Sequence, residues 1–140
     1  MYPDSFISEP TKRTPWMIME PGKIFIMGRS IPDDPGSFYR PVREWFSKYA
    51  LDYTGKSKIE IGFEYINTSS TKWMYLIFKE LSEMKGLSKN ARITWYYEHG
   101  DEDMSELGFI LRSVVDCPFL VVEVFEMNMA RYKKILLNSI

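Results

Sequence analysis

Residues 58–66, Lys-Ile-Glu-Ile-Gly-Phe-Glu-Tyr-Ile, alternate in the manner of a strand with one buried face and run without a spacer into Asn67-Thr68-Ser69-Ser70-Thr71, five residues that favour turns or helix caps. Behind them Met74, Ile77, Phe78, Leu81 and Met84 recur on one helical stripe, and Gly86 predicts its end. A strand that passes straight into a helix needs that helix as its crossover to a parallel neighbour. The chain is thereby restricted to a layered α/β arrangement.

The remaining segments extend the same pattern. Two apolar runs, 16–19 and 23–27, flank Glu20-Pro21-Gly22, which reads as a β-hairpin with a Pro-Gly turn. Residues 28–38 carry two glycines and two prolines and read as a loop. A first helix is expected from Pro41, a favoured first helical residue, with Val42, Trp45, Phe46, Tyr49 and Ala50 on its buried face. In 58–66 itself, Ile59, Ile61, Phe63 and Tyr65 should share the buried side. A third strand region covers 91–97, and a helix with Met104, Leu107, Gly108, Leu111, Val114 and Val115 follows, stopped by Pro118. The run 119–125 suits a buried strand, and 128–137 a short terminal helix. The predicted order is β-β-α-β-α-β-α-β with that last helix added. The expected fold is α/β, a single-domain mixed β-sheet with helices packed on it. Residues 1–14 lack periodicity and are expected to form a loose N-terminal arm, with one domain over 15–140.

Charge and composition narrow the function. Eighteen basic residues against nineteen acidic ones leave no net field for a polyanion, and no basic cluster with interleaved aromatics compensates, so nucleic-acid binding is not expected. Cys117 is alone and cannot close an internal disulfide; the start MYPDSFISEP lacks a signal-peptide pattern; and apolar stretches such as 119–122 fall far short of the roughly 20 residues that cross a bilayer. A cytoplasmic protein that does not span a membrane is expected. Phosphate-loop, dinucleotide and nucleophile-elbow motifs are missing in their sequence form, His99 has no second ligand or nucleophile at a recognisable spacing, and Cys117 reads as a small buried side chain. No catalytic residue, metal or cofactor is assigned, and the chain is not expected to be an enzyme.

The hydroxyls at 68–71 stand where a helix N-terminus offers unpaired N–H groups and partial positive charge. Two readings fit. The residues form a plain N-cap, or one of them accepts phosphate, which adds a charge of about −1.5 to −2 beside Lys72. The loop residues Arg29 and Ser30 offer a guanidinium and a hydroxyl for a partner's anionic group, or simply form a tight crossover. Asp101-Glu102-Asp103 reads as a helix start favoured by the dipole, with a metal-dependent ligand site involving His99 as the weaker alternative.

The segments GRSIPDD, EYINTSSTK and TWYYEHGDEDMSELG, in that order, resemble the SiaC-type regulatory phosphoproteins of bacterial biofilm signalling, over roughly residues 14–125. The sequence departs from that pattern at Ile66, Thr71 and Phe109. The resemblance implies a partner switch: a serine/threonine kinase phosphorylates Thr68, a metal-dependent serine/threonine phosphatase reverses this, and the unmodified form binds and activates a diguanylate cyclase. Ser69 and Ser70 rank behind Thr68 as acceptors, and the expected partner-binding set is Arg29, Ser30, Asn67, Ser69, Ser70 and Lys72. The layout is also STAS-like, by analogy with anti-sigma-factor antagonists whose phosphorylatable hydroxyl lies between a strand and a helix. The competing reading is a constitutive protein-interaction module that uses aromatics such as Trp73 and Tyr75, on the helix side away from the core.

Overall fold

Ile59, Ile61 and Phe63 drive β4 (Ser57–Ile66) into the middle of the molecule, where all three are fully buried. The computed structural model of the protein describes residues 3–138. Around β4 lie β1 (Phe6–Ser8), β2 (Trp16–Glu20), β3 (Lys23–Ser30), β5 (Ala91–Glu98) and β6 (Phe119–Val124), in the spatial order β1-β2-β3-β4-β5-β6. The pairs β1–β2 and β2–β3 are antiparallel, and β3 to β6 run parallel. The expected hairpin is present: Glu20 pairs with Lys23, and Gly22, at φ +84°, supplies the left-handed turn residue that a side chain would strain.

The helices are α1 (Pro35–Asp52), α2 (Thr68–Glu83), the short α3 (Lys85–Ser88), α4 (Glu102–Arg112) and α5 (Met129–Asn138). The first four cover one face of the sheet, over a core that includes Tyr39, Trp45, Phe46, Phe78, Trp95 and Phe119. The other face carries a smaller cluster, in which Tyr132 and Ile135 of α5 and the preceding Met127 pack on Phe25 and Met27 of β3. The fold is thus the mixed α/β sheet expected from the alternation of strand and helix patterns.

Four boundaries depart from the sequence reading, each for a local reason. The stretch expected as a loose arm contributes β1, which pairs with β2, and Trp45 Nε1 donates to the Asp4 carbonyl at 2.9 Å. The expected loop at 28–38 holds the end of β3 and the start of α1. That helix begins at Pro35 because Asp34 caps it, its carboxylate accepting from Ser37 N at 3.1 Å and from Ser37 Oγ at 2.7 Å; these bonds hold the Asp34 carboxyl below its ordinary range. Pro41 therefore sits inside α1, where it forgoes one backbone hydrogen bond. The fourth departure is α4, which ends at Arg112, before Val114 and well before Pro118.

One irregularity shapes the end of the sheet that matters for function. Gly28 pairs with Phe63 but Arg29 pairs with Tyr65, so Glu64 is an extra residue and the ladder bulges there. Gly28 has φ +134°, and a Cβ there would lie 3.4 Å from Pro15 Cα. The bulge reverses the expected alternation: Tyr65 turns outward and is 52% exposed, while Ile66 packs against the main core.

Candidate functional site

The parallel strands β3, β4 and β5 end together, and α1, α2 and α4 each begin close to those ends. In open α/β sheets this C-terminal edge is where loops and helix N-termini converge on a ligand or partner. Asn67 caps α2: its side-chain carbonyl accepts from Ser70 N at 2.8 Å, its backbone N–H donates to the Ser30 carbonyl at 3.0 Å, and Thr71 Oγ1 donates to its backbone carbonyl at 3.0 Å. Asp101 caps α4 in the same way, its carboxylate accepting from Met104 N at 3.2 Å, with Glu102 and Asp103 in the first turn. The acidic run is therefore a helix start, and among the described residues no group of three or more His, Cys, Asp or Glu side chains is placed to hold a metal ion.

Thr68 is the first residue of α2 and is exposed, as is Ser69. The first N–H groups of a helix lack intrahelical acceptors, so the backbone beneath Thr68 presents donors and the positive end of the dipole. Lys72, four residues on, lies above Thr68 on the same helical face. No hydrogen bond engages the Thr68 hydroxyl among the described residues. The group is free to react.

Ser70 differs from its neighbours. It is fully buried, and the Ser30 hydroxyl donates to Ser70 Oγ at 2.9 Å while sharing a further hydrogen bond with the Tyr39 hydroxyl. Burial pushes the Tyr39 phenol up to about 12, so it stays neutral. This buried trio ties the end of β3 to α1 and to the first turn of α2. Ser30 and Ser70, both expected to face a partner, instead position Asn67 and Thr68 from beneath. Arg29 is exposed and lies on the sheet face opposite Ser30, near Tyr132 of α5. Substituting Asn67 by Ala removes the α2 cap and is expected to cost about 1 kcal/mol, measured as a lower urea midpoint with an unchanged slope.

A cleft of about 320 Å³ opens between α2 and α4, lined by residues that include Glu64, Tyr65, Ile66, Thr71, Asp101 and Asp103. The sequence groups Glu64 to Thr71 at one strand-to-helix junction but does not bring Asp101 and Asp103 to it, and the bulge that turns Tyr65 outward leaves no mark in the alternation itself. The cleft is acidic, and Thr71, one turn beyond Thr68, is on its wall.

The sequence pattern of the SiaC family of regulatory phosphoproteins matches residues 8–124. The chain belongs to the SiaC family. Among solved structures, SiaC of Pseudomonas aeruginosa superposes with a TM-score of 0.77 at 21% identity, over 86% of this chain and 99% of that one. A crystal structure of the diguanylate cyclase SiaD in complex with its activator SiaC, also from Pseudomonas aeruginosa, matches with a TM-score of 0.75 at 23% identity, over 85% of this chain and 99% of that one. An uncharacterized protein of Pseudomonas aeruginosa (strain UCBPP-PA14) is 25% identical over 100 residues, 71% of this chain and 79% of its own length.

Within this SiaC-family chain, the remaining sequence candidates fall into place. Trp73 is half-buried and stacks on Tyr39 with ring centroids 6.4 Å apart, so it belongs to the packing; Tyr75 is exposed. Phe109, one of the departures from the family pattern, is exposed on α4 with the Arg112 guanidinium 5.0 Å above its ring. His99 is an exposed turn residue whose Nδ1 lies 2.8 Å from Glu123 Oε1. Cys117 is buried, and burial raises its thiol pKa. No helix among the described residues is long and apolar enough to cross a membrane.

Proposed function

We propose that this SiaC-family protein is a non-catalytic partner switch in which phosphorylation of Thr68 controls docking to, and activation of, a diguanylate cyclase. The observation that carries this reading is the contrast within one helical turn. Thr68 is exposed, unbonded and over open helix donors, whereas Ser70 is sealed in the core. The solved SiaC–SiaD complex supports a cyclase as the partner class.

On α2, Thr68, Lys72, Tyr75 and Lys79 follow one another along an exposed stripe, with Asn67 and Ser69 at its head. That stripe is the partner-binding face. A phosphate at Thr68 gains the helix dipole and Lys72, so the modified protein stays folded. Its dianion also adds to Glu64, Asp101 and Asp103 in the adjoining cleft. A partner shaped for the unmodified, lysine-bearing stripe then meets a desolvation cost and like-charge repulsion. A serine/threonine kinase and a metal-dependent serine/threonine phosphatase complete the cycle, acting on the protein in the cytoplasm.

Phosphosite mapping by mass spectrometry, on protein from its native cells before and after serine/threonine phosphatase treatment, tests the assignment. The expected result is a phosphatase-sensitive phosphate on Thr68 and none on buried Ser70. A phosphate on Ser70, or no phosphate across 67–72 under varied growth conditions, would contradict it.

A further inference from the structure

Parallel sheets are ordinarily covered by helices on both faces, because their strands carry apolar side chains on both sides. Here α1 to α4 cover one face, but α5 alone packs on the other, over Phe25 and Met27 of β3. Among the described residues, the β5–β6 half of that face is covered only where Tyr96 and Val124 meet the α5 cluster. Leu120 stands 57% exposed there, with Val122 and Val124 half-buried beside it. These three residues pair with Thr94, Tyr96 and Glu98, so one continuous surface spans the two strands.

A cleft of about 420 Å³ runs between this surface and the flank of α5. Its rim is basic: Lys58 and Arg92 lie at one end, Arg131 and Lys134 along α5. None of the four forms an ion pair among the described residues. The one carboxylate in the lining, Glu60, is buried and accepts a hydrogen bond from the Tyr96 hydroxyl at 2.8 Å, so it leaves those four cations unpaired. Strands sit about 4.8 Å apart and a helix is about 10–12 Å across, so the open width matches one further helix laid beside α5.

We infer that the β5–β6 face is a second docking surface, separate from Thr68, for an acidic amphipathic helix of a partner protein. The helix lays an apolar stripe on Leu120, Val122 and Val124 and sets carboxylates on its flanks against the four cations. Apolar anchors in a groove with complementary charges at the rim are the usual terms of helix recognition.

Two synthetic helical peptides with the same leucine stripe, one flanked by glutamates and one by lysines, test this by fluorescence anisotropy against the full chain. The acidic peptide is expected to bind at least tenfold more tightly than the basic one. A combined Arg131→Glu and Lys134→Glu variant should lose at least tenfold in affinity for it, and Leu120→Asp likewise, both at unchanged helical signal by circular dichroism. Thr68→Asp should leave this binding unaltered. Equal binding of both peptides, no binding of the acidic one, or full binding by the charge-reversed variant would overturn the inference. Two other occupants are separated by the same variant. Self-association in sedimentation that charge reversal abolishes would assign the face to a second copy, whose α4 exposes Glu102, Asp103 and Glu106. Co-sedimentation with phosphatidylserine vesicles that it abolishes would assign the face to a membrane surface. Either result would replace the partner-helix assignment.

Discussion

Thr68→Asp is expected to weaken binding to the cyclase by at least about tenfold, equivalent to about 1.4 kcal/mol, while leaving the protein at least as stable as before. The two halves of that expectation come from the same geometry. A carboxylate at the first position of α2 lies over the open donors of the helix and near Lys72, which stabilises the folded state slightly. The same charge stands at the head of the exposed stripe and beside a cleft already carrying Glu64, Asp101 and Asp103, so it opposes an approaching surface. Thr68→Ala is the matched control. The Thr68 hydroxyl makes no hydrogen bond among the described residues, so its removal should leave cyclase binding near the unmodified level and make the protein blind to the kinase. Isothermal titration against the cyclase reads both variants. A Thr68→Asp protein that binds as tightly as Thr68→Ala would remove the electrostatic basis of the switch.

The largest effect on stability is expected at Trp95. Its side chain is fully buried, its Nε1 donates to the Met104 carbonyl of α4 at 3.0 Å, and its ring lies 5.7 Å from Phe63 and 6.5 Å from Phe78. Gly108 is the complement on α4: a Cβ there would come within 2.6 Å of Trp95 Cδ1. Trp95→Ala leaves a cavity at the junction of β4, β5, α2 and α4 and should cost about 3–5 kcal/mol in urea denaturation. Gly108→Ala probes the same contact from the other side and should cost about 1–3 kcal/mol through overpacking. Because α4 forms one wall of the cleft beside Thr71, both variants should weaken cyclase binding as well.

Much of this architecture is legible in the residues, and the failures have physical causes. The alternation in 58–66, the cap-forming block after it and the Pro-Gly turn at 21–22 are local signals set by side-chain period and backbone freedom, and each produced the element it predicted. The strand β1 escaped because a three-residue edge strand is too short to show a period. The start of α1 was misplaced because Pro41 imitates a first-turn proline, while the true cap, Asp34, lies within a Gly- and Pro-rich stretch that imitates a loop. The terminus of α2 lies where the cap-forming block predicts it, whereas which of the hydroxyls face outward is not legible in the sequence. Ser30 and Ser70 are 40 positions apart in the chain, and only the folded sheet shows that they satisfy each other and Tyr39 in the interior. The bulge at Glu64 is a pairing property of two strands and cannot be read from one of them.

Charge on Thr68 is proposed to separate this protein from a diguanylate cyclase. The most direct test titrates the cyclase with one preparation divided in two, half phosphorylated by the kinase to completion at Thr68 and half left unmodified, with cyclic di-GMP synthesis followed in parallel. The unmodified half is expected to bind and raise synthesis, and the phosphorylated half to bind at least about tenfold more weakly and raise it little. Equal affinity and equal activation by the two halves would contradict that proposal.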